Sequence, residues 1–148
     1  MPQFPIAYVD VRFCVHATED EDSVLEAFHN VLPIENEEDA IEFTETATEG
    51  HYGNPIIFFE SRIKNKNAIK ILLDNLSAKL SSLDKTALRD SLIRFFEKGS
   101  LYLRVDKQAA VQDKIRLVSS DPIRLRIRFR KSKLDAVTQV CEEIGLLR

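Results

Sequence analysis

The sequence predicts an α+β fold: a two-layer α/β sandwich, with an antiparallel-rich sheet of five or six strands and helices on one face. Two observations lead there. Stretches such as "IAYVDVRFCVH" (6–16) and "IRLRIRFR" (123–130) alternate apolar with polar residues, the signature of strands with one buried face. Between them lie segments with apolar residues at helical spacing, enough to roof one side of a sheet and leave the other bare. A length of 148 residues suits a single domain over 1–148.

Taken in order, Ala7, Val9, Val11, Phe13 and Val15 form the inward face of the first strand. Thr18 and Glu21 are spaced as a capping box, and Val24, Leu25, Phe28 and Leu32 mark the buried stripe of the helix that follows, stopped by Pro33. His29, beside that stripe, is expected to pack. "DAIEFTETA" (39–47) predicts a second strand with Ile41 and Phe43 inward, and "IIFFESRIK" (56–64) a third. "TEGHYGNP" links them as a long hairpin connection. A helix from about Asn67 carries Ile69, Leu72, Leu73, Leu76 and Leu80. Asp84 is the expected cap of another, with Leu88, Leu92 and Phe95 inward and Gly99 as terminator. "SLYLRVD" (100–106) is a strand and "KQAAVQDK" one helical turn. "IRLV" (115–118) and "IRLRIRFR" flank the turn sequence "SSDP" as a final hairpin. Ser132 and Asp135 resemble a capping box for a last helix with Leu134, Val137, Val140, Cys141 and Ile144.

The net charge of −3 hides an asymmetry. Residues 1–60 hold fourteen acids and one base, a balance of −13; residues 61–148 hold twenty bases and ten acids, a balance of +10. Such halves can pair within the chain, pair between subunits, or turn a basic surface toward a polyanion. No run of about 18 uncharged apolar residues exists, so no membrane helix is expected. The first apolar residues, interrupted by Asp10 and Arg12, do not fit a secretory signal. Cys14 and Cys141 form no metal or redox motif. The expectation is a reduced, cytoplasmic protein with free thiols, without metal or cofactor.

Arg124, Arg126, Arg128 and Arg130 alternate at strand spacing, about 6.5–7 Å apart on one face. That approximates the phosphate spacing of an extended nucleic-acid strand, and guanidinium forks onto phosphate oxygens. Solvation, edge protection or pairing with Glu42, Glu45 or Glu60 are the plain alternatives. Few aromatics are available for base stacking, Tyr8 and Tyr102 above all, so binding is expected to be led by phosphates. Arg104, Lys107 and Gln108 would extend the patch. His16, Thr18, His51, Tyr52 and Asn54 collect at strand termini, as a clamp for a base or sugar or as a structural brace. No phosphate loop, CxxC pair, nucleophile elbow or HExxH motif is present.

"HATED" (16–20), "GHYGNP" (50–55) and "LRVDKQAA" (103–110), followed by "DPIRLRIRFR" (121–130), together resemble the archaeal family described as RNA-binding or predicted exosome-subunit proteins. The resemblance implies a fold similar to ribosomal protein L-five. It also implies a cytoplasmic, non-enzymatic RNA-binding protein, an accessory of RNA processing or the exosome, with RNA and RNA-processing proteins as partners. It assigns no catalytic residues. A homodimeric or protein-docking module is the alternative. A metal-dependent RNA hydrolase using His16, His51 and Asp106 is a further one.

Overall fold

The computed structural model describes residues 4–34, 41–50, 53–90, 92, 96–97, 99–118, 120–130 and 133–147. Strands β1 (Ile6–His16), β2 (Thr44–Glu49), β3 (Pro55–Ile63), β4 (Phe96–Glu97), β5 (Ser100–Asp106) and β6 (Pro122–Phe129) form one six-stranded sheet in the order β2-β3-β1-β6-β5-β4. Every pairing is antiparallel. Helices α1 (Glu21–Val31), α2 (Lys66–Lys79), α3 (Ser82–Asp90), α4 (Lys107–Val111) and α5 (Leu134–Glu143) supply the second layer. The predicted two-layer α/β sandwich is the observed one. None of the described helices is long and apolar enough to cross a membrane.

The alternating pattern decides which side is roofed. Val9, Val11, Phe13 and Val15 of β1 are buried, with Leu101, Leu103 and Val105 of β5 and Ile123, Leu125, Ile127 and Phe129 of β6. They meet Val24, Ala27, Phe28 and Val31 of α1 and Ala68, Ile69, Leu72, Leu73 and Leu76 of α2. At the β3 side the core turns aromatic: Phe13 stacks between Phe28 and Phe59, and Phe43 meets all three edge-on.

Local chemistry departs from the sequence reading at several points. Ile6 is buried and Ala7 only half so, because the β1–β6 register shifts between Ile6 and Tyr8. Thr18 is exposed and does not cap α1. Asp20 does, accepting from the Asp22 backbone N–H at 3.2 Å and the Ser23 hydroxyl at 3.0 Å. A turn closed by the Glu19 N–H donating to the His16 carbonyl delays the helix start. His29 points to solvent. Asp84 lies inside α3; its N–H donates to the Ser81 hydroxyl, and its carboxylate accepts from the Leu117 N–H. Asn65 caps α2. Lys133 precedes α5 without a side-chain cap; Ser132 lies outside the described residues, as do Phe95 and residues 39–40.

β2 begins only at Thr44, and all six of its residues are exposed. Ile41 and Phe43 still pack on the core from the segment before the strand. The expected final hairpin does not form: residues 115–118 contribute one isolated bridge, Val105 to Leu117. β6 instead inserts between β1 and β5, a place where both of its edges find partners.

Candidate nucleic-acid interface

On the unroofed face the strand register sets side chains in rows across the sheet. In one row Glu60 of β3, Arg12 of β1, Arg124 of β6 and Arg104 of β5 stand abreast. The next row is Arg62, Asp10, Arg126 and Tyr102; the third places Arg128 between Tyr8 and Ser100. Adjacent strands lie about 4.8 Å apart, so three guanidinium groups crowd the first row. The first two rows line a shallow concavity of about 630 Å³, whose walls include Arg12, Arg62, Arg104, Arg124, Arg126 and Tyr102.

The arginines differ in how their charge is met. Arg62 forks onto Asp10 at 2.8 and 3.1 Å and lies 4.1 Å over the Tyr8 ring. Arg126 donates to the Ser100 hydroxyl at 3.1 Å and approaches Asp10 at 3.7 Å. Arg12 reaches Glu60 at 3.3 Å and sits over Phe58. Arg104 and Arg124 are exposed and have no side-chain partner among the described residues. Arg130 lies past the end of β6 and is not part of the face row; its Nε donates to the Phe4 carbonyl at 2.8 Å. The predicted track along β6 is thus shorter than expected, and the charge runs across the strands as well as along them. The aromatic faces of Tyr8, Phe58 and Tyr102 already carry guanidinium groups, Tyr102 with Arg126 at 5.9 Å.

Lys107 does not join this patch. It is 1% exposed at the start of α4, and its ammonium donates to the Cys14 carbonyl at 2.8 Å and to Glu19 at 2.9 and 3.1 Å. Asp121 completes the shell at 3.0 Å. Burial pulls the Lys107 pKa down, but hydrogen bonds to Glu19 and Asp121 outweigh it and leave the pKa raised. For Asp121 burial works upward, and Lys107 and then His16 bring the net pKa below its ordinary value. Gln108 is exposed on a separate concavity shared with Lys79 and Gln112. His16 stands 3.2 Å from Asp121. With Thr18 and Asn54 it lines a recess of about 270 Å³; His51 and Tyr52 fall outside the described residues. Asp106, named for a hydrolytic role, caps α4 and accepts from Arg116 at 2.7 Å.

The internal ion cluster makes a pH forecast. The depressed Asp121 pKa adds stability above its ordinary 3.8, and that gain is lost as pH falls through the folded value. The raised Lys107 pKa adds stability below 10.5, lost as pH rises through its folded value. Melting temperature followed against pH, with a chelator present, should decline at both extremes. Asp121→Asn should melt lower at neutral pH and show a shallower acid limb.

A family model described as RNA binding matches residues 8–129. The RNA-binding protein PAB1135 of Pyrococcus abyssi is 32% identical over 139 residues, covering 91% of this chain and 90% of that one. An uncharacterised protein of Methanocaldococcus jannaschii is 34% identical over 140 residues, covering 88% and 93%. The solved structure of Mth689, a DUF54 protein from Methanothermobacter thermautotrophicus, superposes with a TM-score of 0.76 at 27% identity, covering 96% of this chain and 99% of that one.

Proposed function

Because the chain belongs to this RNA-binding family, we propose that it is a non-enzymatic RNA-binding protein that meets RNA phosphates on the bare sheet face. One observation carries the reading: Arg12, Arg124 and Arg104 stand side by side on three adjacent strands. Like charges directly opposed across strands destabilise a sheet. A polyanion laid over the row turns that repulsion into binding, with each guanidinium able to fork onto a phosphate. The rings nearby are covered by arginines, so stacking of bases contributes little and sequence preference is weak. The reading includes a cytoplasmic role as an accessory of RNA processing or the exosome, which the family resemblance implies.

The test is RNA affinity measured by fluorescence anisotropy at increasing salt. Three phosphates met by the abreast row give a log–log slope of about −2 to −3. Undetectable binding at low salt, or affinity independent of salt, would overturn the proposal. A homodimer held by the same arginines would instead dissociate with salt in light scattering, RNA or no RNA.

A further inference from the structure

One register step beyond the arginine row, three chemically different side chains converge. Cys14 and His16 alternate on β1 and so project from the same face. Asp121 precedes β6, 107 residues from Cys14 in sequence, and its backbone φ of 46° aims it from the left-handed region that Asp tolerates. Cys14 Sγ is 3.5 Å from His16 Nε2 and 3.6 Å from Asp121 Oδ1, and His16 Nε2 is 3.2 Å from Asp121 Oδ1.

We propose that Cys14, His16 and Asp121 bind a divalent cation of the zinc class, with three protein ligands and one open position. A tetrahedral zinc lies about 2.3 Å from sulfur and about 2.0–2.2 Å from nitrogen and oxygen, which sets such ligand atoms about 3.3–3.6 Å apart. The two sulfur edges of the observed triangle, 3.5 and 3.6 Å, have those dimensions, and the His16–Asp121 edge of 3.2 Å lies just short of them. Its connectivity points the same way. A proton relay needs the two ring nitrogens of a histidine to face different partners. Here thiol and carboxylate both face Nε2, so the three atoms surround a common point. The mixed sulfur, nitrogen and oxygen set favours zinc over magnesium or calcium, which take oxygen ligands.

The surroundings suit an ion. Asp121 uses Oδ1 in the triangle and holds Lys107 with Oδ2, so its orientation is fixed from behind. Glu19 offsets the Lys107 charge at 2.9 Å. Binding releases the Cys14 thiol proton to solvent; thiolate, two carboxylates, ammonium and the cation then sum to zero charge.

The chelator-treated full chain should bind one Co²⁺ or Zn²⁺, with a thiolate-to-cobalt charge-transfer band in the near ultraviolet. Zinc should raise the melting temperature and shield Cys14 from iodoacetamide, while buried Cys141 stays unmodified with or without metal. His16→Gln should weaken binding at least about tenfold and Cys14→Ser should remove the band. Absence of binding, a band that survives Cys14→Ser, or equal alkylation of Cys14 with and without zinc would each overturn the proposal. If a variant proves unfolded by circular dichroism, alkylation of the unaltered chain decides alone.

Discussion

Arg124→Glu should lower RNA affinity at least about tenfold, and the pair Arg104→Glu with Arg124→Glu about 100-fold or more, each fold checked by circular dichroism. A charge-assisted hydrogen bond contributes about 1.5–3 kcal/mol, and about 1.4 kcal/mol is a decade of affinity. Stability should move the other way. In Arg124→Glu the new carboxylate would stand between Arg12 and Arg104, converting two repulsive cross-strand neighbours into attractive ones, for a gain of about 0.2–1 kcal/mol. A variant that melts higher and binds RNA weakly would locate the repulsion in the binding row. Unchanged RNA retention would remove the row from the interface. Arg126 is a poorer target, since reversing it also breaks contacts with Ser100 and Asp10.

Lys107→Met should be the most destabilising single change at the sheet's end. It removes the ammonium but leaves the carboxylates of Glu19 and Asp121 and the Cys14 carbonyl facing an apolar side chain. Breaking a buried ion pair from one side costs about 3–5 kcal/mol. Asp121 is 44% exposed and regains some water, which favours the lower end, about 3 kcal/mol. For a domain of this size that is a fall in melting temperature of about 6–12 °C, read by calorimetry. A fall under about 2 °C would show that the ammonium is not the hub of this cluster.

Much of the architecture is legible in the sequence because strand alternation is a local signal. It bounds β1 and β5 to the residue and assigns the inward face of β1 from Val9 to Val15, since burial on one face imposes period two. Pairing is less visible. The turn sequence points β6 toward a hairpin with residues 115–118, whereas its partners are β1 and β5, and sequence distance carries no mark of that choice. The same limit hides the cross-strand arginine row: Arg12, Arg104 and Arg124 are far apart in the chain and become neighbours only through register. Lys107 reads as surface charge because lysine is rarely buried; only the convergence of Glu19 and Asp121 makes burial tolerable. Cys14 and Asp121 do not stand out as site residues either. Cys14 lies two positions before His16, and nothing local draws Asp121 to them.

The central strand is the first one made. During synthesis β1 can join β3 once residues 55–63 have emerged, but its other flank stays open until residues 122–129 arrive. For that interval a strand bearing Val9, Val11, Phe13 and Val15 exposes unpaired amides to any neighbouring nascent chain. Closing so distant a contact is slow, which makes crowding on a polysome, more than heat, the hazard this topology faces at birth.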